Sequence, residues 1–214
     1  MLVKDVMTRN PVTITTDMSI PEVKALMKEK KVSKLPVLDK SGALKGILTE
    51  SDLNKASPSD ATTLDMFELS YLLNKLKVEK IMTKKVFTTT EDQPVEDAAK
   101  IMQEEGFDCL PVMSENLVVG IITQNDLFRS FVEMFGASYK GVRATFAMGD
   151  QPGSLSLFVA QLARLNANIV SLVTSDASDK SKRLVTMRVT GISIEDFKSL
   201  LQNAKLSIED IRNA

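Results

Sequence analysis

Apolar and polar positions along the chain fall into two successive series with the same order of elements. A short apolar run at Val12 to Ile14 precedes a stretch in which Ile20, Val23, Leu26 and Met27 recur at the spacing of one helix face. Two apolar runs follow, Leu35 to Leu38 and Leu44 to Leu48, parted by the polar turn Asp39-Lys40-Ser41-Gly42; this is the pattern of two strands and a tight connection. The signals then return. Val86 to Thr88 reads as a strand, Val95, Ala98, Ile101 and Met102 as a helix face, and Leu110 to Met113 with Leu117 to Ile122 as two strands. Asp17-Met18-Ser19 and Asp92-Gln93-Pro94 stand where the two helices need caps. A closing helix is expected from near Asp52 and near Asp126, so each unit reads strand–helix–strand–strand–helix.

The residues repeat as well as the pattern. Val6-Met7-Thr8-Arg9-Asn10-Pro11-Val12-Thr13 returns as Ile81-Met82-Thr83-Lys84-Lys85-Val86-Phe87-Thr88, and Leu35-Pro36-Val37 as Leu110-Pro111-Val112. Gly46-Ile47-Leu48-Thr49-Glu50-Ser51-Asp52-Leu53 returns as Gly120-Ile121-Ile122-Thr123-Gln124-Asn125-Asp126-Leu127, one residue closer because the turn shortens to Ser114-Glu115-Asn116. Between the units, the polar break Ser57-Pro58-Ser59-Asp60 leads into a helical stretch with Leu64, Phe67, Tyr71, Leu72 and Leu76 apolar. Packing against the repeat pair is the expected use of that face, and a subunit contact is the other.

The last third changes pattern. Val142, Ala144, Phe146 and Met148 alternate as a strand, and Asp150-Gln151-Pro152-Gly153 turns the chain into a helix carrying Leu155, Phe158, Leu162 and Leu165. Strands at Ile169 to Thr174 and Leu184 to Val189 flank a solvated turn; Phe197, Leu200 and Leu201 mark a second helix, and Leu206 to Ile211 a final strand. That order is the split βαβ of ferredoxin-like domains. The expected class is α+β.

Composition narrows the function more than the fold. With 27 basic and 28 acidic residues in 214 and a net charge of −1, the chain lacks the basic excess of a nucleic-acid binder. No window approaches the 18 or so apolar residues of a membrane span, and no apolar core follows the start Met1-Leu2-Val3-Lys4-Asp5, so neither membrane nor secretory leader is expected. The single cysteine, Cys109, excludes an internal disulfide and suits the cytoplasm. Its place in an apolar strand predicts burial. Histidine is absent, which removes the commonest general base and metal ligand. No metal site, Gly-x-Gly-x-x-Gly or P-loop is present, so the chain is not expected to be an enzyme.

The duplicated Gly-apolar-apolar-Thr-x-x-Asp block carries the most chemistry. It places Thr49 and Thr123 at strand-to-helix junctions, with Asp52 and Asp126 in the first helical turn. Such a carboxylate can accept from the vicinal hydroxyls of a ribose, and the helix start suits a phosphate. The same residues also make an ordinary helix cap.

With these motifs, residues 1–135 resemble a tandem pair of CBS (cystathionine-β-synthase-type) domains, a pseudo-twofold Bateman module. The division implied is a first CBS domain at 1–56, a linker helix at 57–77 and a second CBS domain at 78–136. Such pairs bind adenosine-containing ligands between their repeats. The resemblance implies one cleft of Thr8, Thr13, Val32, Ser33 and Lys34 with Thr123 and Asp126. A second would combine Thr83, Thr88, Phe107, Asp108 and Cys109 with Thr49 and Asp52. Lys34 and Arg9 could balance phosphate charge in the first, whereas Asp108 disfavours phosphate in the second, so the cleft with Asp126 is preferred. The adenine ligand could be AMP, ADP, ATP, S-adenosylmethionine or a cyclic dinucleotide.

Residues 139–214 resemble an ACT domain through Asp150-Gln151-Pro152-Gly153-x-Leu155 and Ala167-Asn168-Ile169. By that resemblance Asp150, Gly153 and Asn168 would hold an amino acid or related metabolite between subunits; a bare strand-to-helix turn explains the same residues. The order CBS–CBS–ACT resembles the acetoin-utilisation protein B family. It implies a non-catalytic regulatory sensor, a homodimer, with a regulated protein partner and a link to acetoin or central carbon metabolism. The alternative is a structural adaptor with degenerate pockets.

Overall fold

The computed structural model describes residues 1–56 and 66–214; the polar break at 57–60 and Leu64 lie outside them. The described chain forms two units, Met1–Leu127 and Phe128–Ala214. The first repeat contributes α1 (Val3–Val6), β1 (Thr8–Arg9), β2 (Ile14–Thr15), α2 (Ile20–Lys30), β3 (Lys34–Leu38), β4 (Leu44–Thr49) and α3 (Glu50–Lys55). After α4 (Met66–Lys75), the second contributes α5 (Val78–Ile81), β5 (Thr89–Thr90), α6 (Val95–Glu105), β6 (Cys109–Ser114), β7 (Leu117–Thr123) and the start of α7 (Gln124–Met134).

The two repeats exchange their leading segments. One sheet runs β2-β3-β4, all from the first repeat, but the other runs β1-β7-β6-β5 and takes its edge strand from the first. Thr8 and Arg9 pair with Ile121 and Gly120. In the mirror position Ile47 and Thr83 exchange two backbone hydrogen bonds of 2.9 Å. The short helices follow the same rule: α1 docks on the second repeat through Val3 N to Gln93 O and Lys4 N to Glu91 O, and α5 docks on the first through Val78 N to Met18 O and Glu79 N to Thr16 O. Val78 is fully buried in the first repeat's core of Ile14, Ile20, Val23, Leu35, Leu48 and Leu53.

This exchange explains the glycine of the repeated block. A Cβ on Gly120 would lie 2.4 Å from the Met7 sulfur, and one on Gly46 would lie 2.7 Å from the Met82 sulfur and 2.9 Å from the Thr83 carbonyl oxygen. The Met-Thr motif of each repeat therefore covers the Gly of the other. Two sequence motifs 39 or so residues apart in each unit are halves of one contact made twice.

Helix boundaries have local causes. The Ser19 amide donates to Glu22 Oε2 at 2.7 Å, and Pro21 sits in the first turn of α2. Lys31 ends that helix at φ 53°, where the second repeat has Gly106 at 71°. The leading strands begin later than the apolar runs predict, at Ile14 and Thr89, where parallel pairing with Val37 and Val112 starts. The closing helices start at Glu50 and Gln124, since Thr49 caps α3 and Thr123 occupies the equivalent place before α7. Of the apolar positions expected on the linker helix, Phe67 and Tyr71 are 88% and 59% exposed, Leu76 beyond α4 packs on the first core, and α4 lies against α2; the side chain of Leu72 lies outside the described residues.

The second unit contains β8 (Val142–Gly149), α8 (Ser154–Arg164), β9 (Asn168–Asp176), β10 (Lys182–Thr190), α9 (Ile194–Asn203) and β11 (Ser207–Asn213). Its antiparallel sheet runs β11-β8-β10-β9. Val142, Ala144, Phe146 and Met148 join Val185, Met187 and Val189 against Phe158, Leu162, Phe197 and Leu201 of the helices. The alternate residues, including Arg143, Thr145, Thr186 and Arg188, form the opposite, polar face, as the two-residue period of a strand requires. Among the described residues, no helix is long and apolar enough to cross a membrane.

Candidate ligand cleft between the repeats

A cavity of about 260 Å³ lies between the two repeats. The first repeat supplies Thr8, Asn10, Pro11, Val12 and residues 31–34; the second supplies Ile121, Thr123 and Asn125. Of the first cleft expected from sequence, Thr8, Val32, Ser33, Lys34 and Thr123 meet on this wall. Thr13 is exposed and does not line it, and Asp126 stands just behind the wall, 7% exposed, in the first turn of α7.

Both Thr-x-x-Asp blocks form helix caps. Thr123 donates to Asp126 Oδ2 from its amide at 2.9 Å and its hydroxyl at 2.7 Å. Thr49 donates to Asp52 Oδ2 in the same way, at 2.9 and 2.8 Å. One carboxylate oxygen in each copy is thus committed to fixing the helix start. Threonine and aspartate are locked relative to each other before any ligand arrives.

The cations are arranged differently from the sequence expectation. Lys34 forms a 2.9 Å ion pair with Asp108, joining a residue of the first cleft to one of the second. Arg9 pairs with Glu91 at 2.8 Å. Neither lysine nor arginine is therefore an uncommitted counter-charge. The exposed Lys31 does line the cavity, brought there by its left-handed turn. Composition masked it within Lys28-Glu29-Lys30-Lys31, although its alignment with Gly106 marks an unusual backbone position. Asn10 and Asn125 were also missed; Asn10 has φ 47°, and neither motif singles out its side chain. A larger groove of about 560 Å³ beside Lys24, Lys28, Lys31 and Glu50 is walled by the first repeat alone.

An aromatic contact marks the second expected cleft. Phe107 packs on Phe87 with ring centroids 5.3 Å apart, and the Lys85 ammonium lies 4.6 Å from the Phe87 centroid. Thr83 is held by its backbone pairing with Ile47, whereas Thr88 is exposed. Cys109 is 3% exposed. Burial, reinforced by the charge of Asp108, pushes its thiol up to about 12. Alkylation at pH 8 is therefore expected only from unfolded chain: iodoacetamide labelling should be negligible in buffer and complete in denaturing urea. Labelling of the native protein at a free-thiol rate would contradict that burial. Among the described residues, no group of three or more His, Cys, Asp or Glu could hold a metal ion.

In the second unit, Asp150 and Gly153 follow the end of β8 at Gly149, and Gly153, at φ 89°, leaves open space around its Cα. Asn168 lies at the other end of the sheet. It pairs with Thr190, next to the Val189–Val142 pair, whereas Gly149 pairs with Lys182. The length of β8, about 24 Å at roughly 3.4 Å per residue, separates them. A single chain does not bring the three expected ACT residues together.

These features define a class: two interlocked repeats around a cleft, followed by an antiparallel ferredoxin-like domain. The chain belongs to the CBS-domain family, which matches residues 3–59 and 78–133, and it carries a C-terminal domain matching the TTHA0829-like ACT domain over residues 140–212. An L-aspartate semialdehyde sulfurtransferase of Methanocaldococcus jannaschii is 34% identical over 131 residues, 61% of this chain and 23% of that protein. The chain thus spans less than a quarter of that relative. An uncharacterized protein of the same organism, MJ1426, is 33% identical over 62% of this chain and 92% of its own length. Among solved structures, the CBS domain pair of protein MJ0100 in complex with 5′-methylthioadenosine and S-adenosyl-L-methionine is 32% identical, with a TM-score of 0.52, covering 65% of this chain and 98% of that one. A protein from Vibrio cholerae assigned to acetoin utilization (AcuB) is 26% identical, with a TM-score of 0.52, covering 64% of this chain and 95% of that one.

Proposed function

We propose that the chain is a non-catalytic regulatory protein that binds an adenosine-containing ligand between its CBS repeats. The cleft built from both repeats carries the reading, and the adenosine compounds bound by the MJ0100 domain pair support it. Thr123, Asn125 and Asp126 form the ribose end, Val12, Val32 and Ile121 the apolar seat for adenine, and Ser33 with Lys31 the end for the 5′ substituent. Asp52, Thr49 and Phe107 form the corresponding parts of the second cleft. Ligand binding changes the angle between repeats only through its differential affinity for the two arrangements. The large relatives share under a quarter of their length with this chain, which fits a module that regulates enzymes rather than performing their chemistry.

The amino-acid site of the ACT domain requires a second chain, since Asp150 and Asn168 of one chain lie at opposite ends of its sheet. A homodimer acting on a protein of central carbon metabolism, acetoin use included, is the cellular form of the proposal, in the cytoplasm.

Calorimetry with AMP, ADP, ATP, 5′-methylthioadenosine, S-adenosylmethionine and cyclic dinucleotides tests the first part. At least one should bind with a submillimolar dissociation constant. Absence of binding by all of them below millimolar concentration removes the sensor reading and leaves the adaptor.

A further inference from the structure

The face of the second unit's sheet turned away from α8 and α9 carries a row of cations. Ser171 of β9, Arg188 of β10, Arg143 of β8 and Arg212 of β11 are successive cross-strand partners. Like charges directly opposite on neighbouring strands repel, and three arginines side by side need a reason. Asp210 answers for two of them: its carboxylate accepts from Arg143 Nη1 at 2.9 Å and from Arg212 Nε at 3.0 Å. It leaves Arg188 to itself.

Arg188 is 8% exposed, and the residues directly opposite it across the sheet are Ser171 and the like-charged Arg143. Its Nη1 donates to the Tyr139 carbonyl oxygen at 2.7 Å, while its Nε is buried with no hydrogen-bond partner. Among the described residues, no carboxylate stands within ion-pair distance of it. A guanidinium in that state lacks what buried charges require. Beside it lies a cavity of about 330 Å³, whose wall includes Arg188, Arg143, Thr186 and Ser171 together with Phe135 and Ala137. The segment after α7 forms the rim: Ser171 donates to the Phe135 carbonyl oxygen at 2.9 Å, and Gly136, at φ 63°, lets the backbone lie against Val170 and the arm of Arg188.

We propose that this cavity is a second binding site, for a small organic anion whose oxyanion group, carboxylate or phosphate, is held by Arg188 and Arg143. Guanidinium forks match both groups bidentately. Thr186 and Ser171 contact hydroxyl or ether oxygens of the ligand body, and Phe135 and Ala137 cover its carbon skeleton. The volume, at the small end of ligand pockets, limits the occupant to a metabolite of a few carbons. The site uses none of Asp150, Gly153 or Asn168 and does not depend on the CBS clefts.

The 214-residue chain, labelled with ¹⁵N in arginine, reports on the site through its Nε–H signals. Titration at constant ionic strength with succinate, lactate and inorganic phosphate, each against sodium chloride, separates carboxylate from phosphate recognition. The Arg188 Nε–H signal should shift saturably with at least one probe at millimolar concentration or below. Arg143→Gln should weaken that probe at least tenfold, whereas Arg164→Gln, on the exposed end of α8, should leave it unchanged. Arg188→Lys keeps the charge without the fork and should weaken binding similarly; if it fails to fold, Arg143→Gln still decides. An Arg188 signal that responds to all three probes no more than to chloride overturns the proposal, as does undiminished binding by Arg143→Gln.

Discussion

Asp126→Ala is expected both to destabilise the first unit by about 3 kcal/mol and to weaken the adenosine ligand by at least tenfold. Asp126 is 7% exposed, and its carboxylate accepts two hydrogen bonds from Thr123. Removing it strands the Thr123 amide at a helix start, and charge-assisted bonds of this kind are worth about 1.5–3 kcal/mol each. Thr123→Ala leaves the carboxylate bonded to the amide and should cost only about 1 kcal/mol, the usual loss of a cap. Urea unfolding gives the stability difference and calorimetry the affinity. The pair separates two roles of one residue. If Asp126→Ala loses stability but binds every ligand as well as the wild type, Asp126 is a helix cap alone and the ribose assignment is wrong.

Gly46→Ala should destabilise the module more than Gly120→Ala, although the two glycines occupy the same place in the repeat. An added Cβ at Gly120 meets the flexible end of Met7 and stands 3.2 Å from the Thr8 carbonyl oxygen; at Gly46 it meets Met82 and stands 2.9 Å from the Thr83 carbonyl oxygen. Methionine side chains give way, but backbone does not. Overpacking costs of about 1–3 kcal/mol are expected at Gly46 and a smaller cost at Gly120. Because Thr83 is paired with Ile47 by two backbone hydrogen bonds, the Gly46 substitution should also raise amide exchange at those residues. Equal stability losses at the two positions would mean that the leading segments yield as easily as their methionines.

Much of this architecture is legible from residue patterns, and the remainder fails for identifiable reasons. The repeat, the alternating strands of the second unit and the core residues Phe146, Phe158, Leu162 and Phe197 follow from periodicity, which local geometry dictates. Periodicity does not state which repeat a strand joins, so the pairing of Thr8 with Ile121 is invisible until the Gly–Met contact is seen in space. Charge pairing is equally non-local. Arg9 and Lys34 look available in sequence because Glu91 and Asp108 lie more than 70 residues away. The helical spacing of Phe67, Tyr71 and Leu76 marks an apolar face but does not say which of its residues are covered: Leu76 packs on the first core while Phe67 and Tyr71 are exposed. The arginine row escaped notice because Arg143, Arg188 and Arg212 are unremarkable singly; only the register assembles them.

The exchanged leading segments bear on how such a module is made. A chain ending before α4 would keep the β2-β3-β4 sheet but leave Ile47 without its Thr83 bridge, and would carry α1 and β1 with no β7 to receive them. Two copies of that fragment could satisfy each other by the same swap, giving an intertwined dimer of half-length chains with the bonding pattern of the tandem pair. Joining the halves through a linker makes their encounter intramolecular and frees the two clefts from having to be identical. Lys31 thus stands where the second repeat has Gly106, and Val32 where it has Phe107, so equivalent positions of an otherwise symmetric frame present different chemistry.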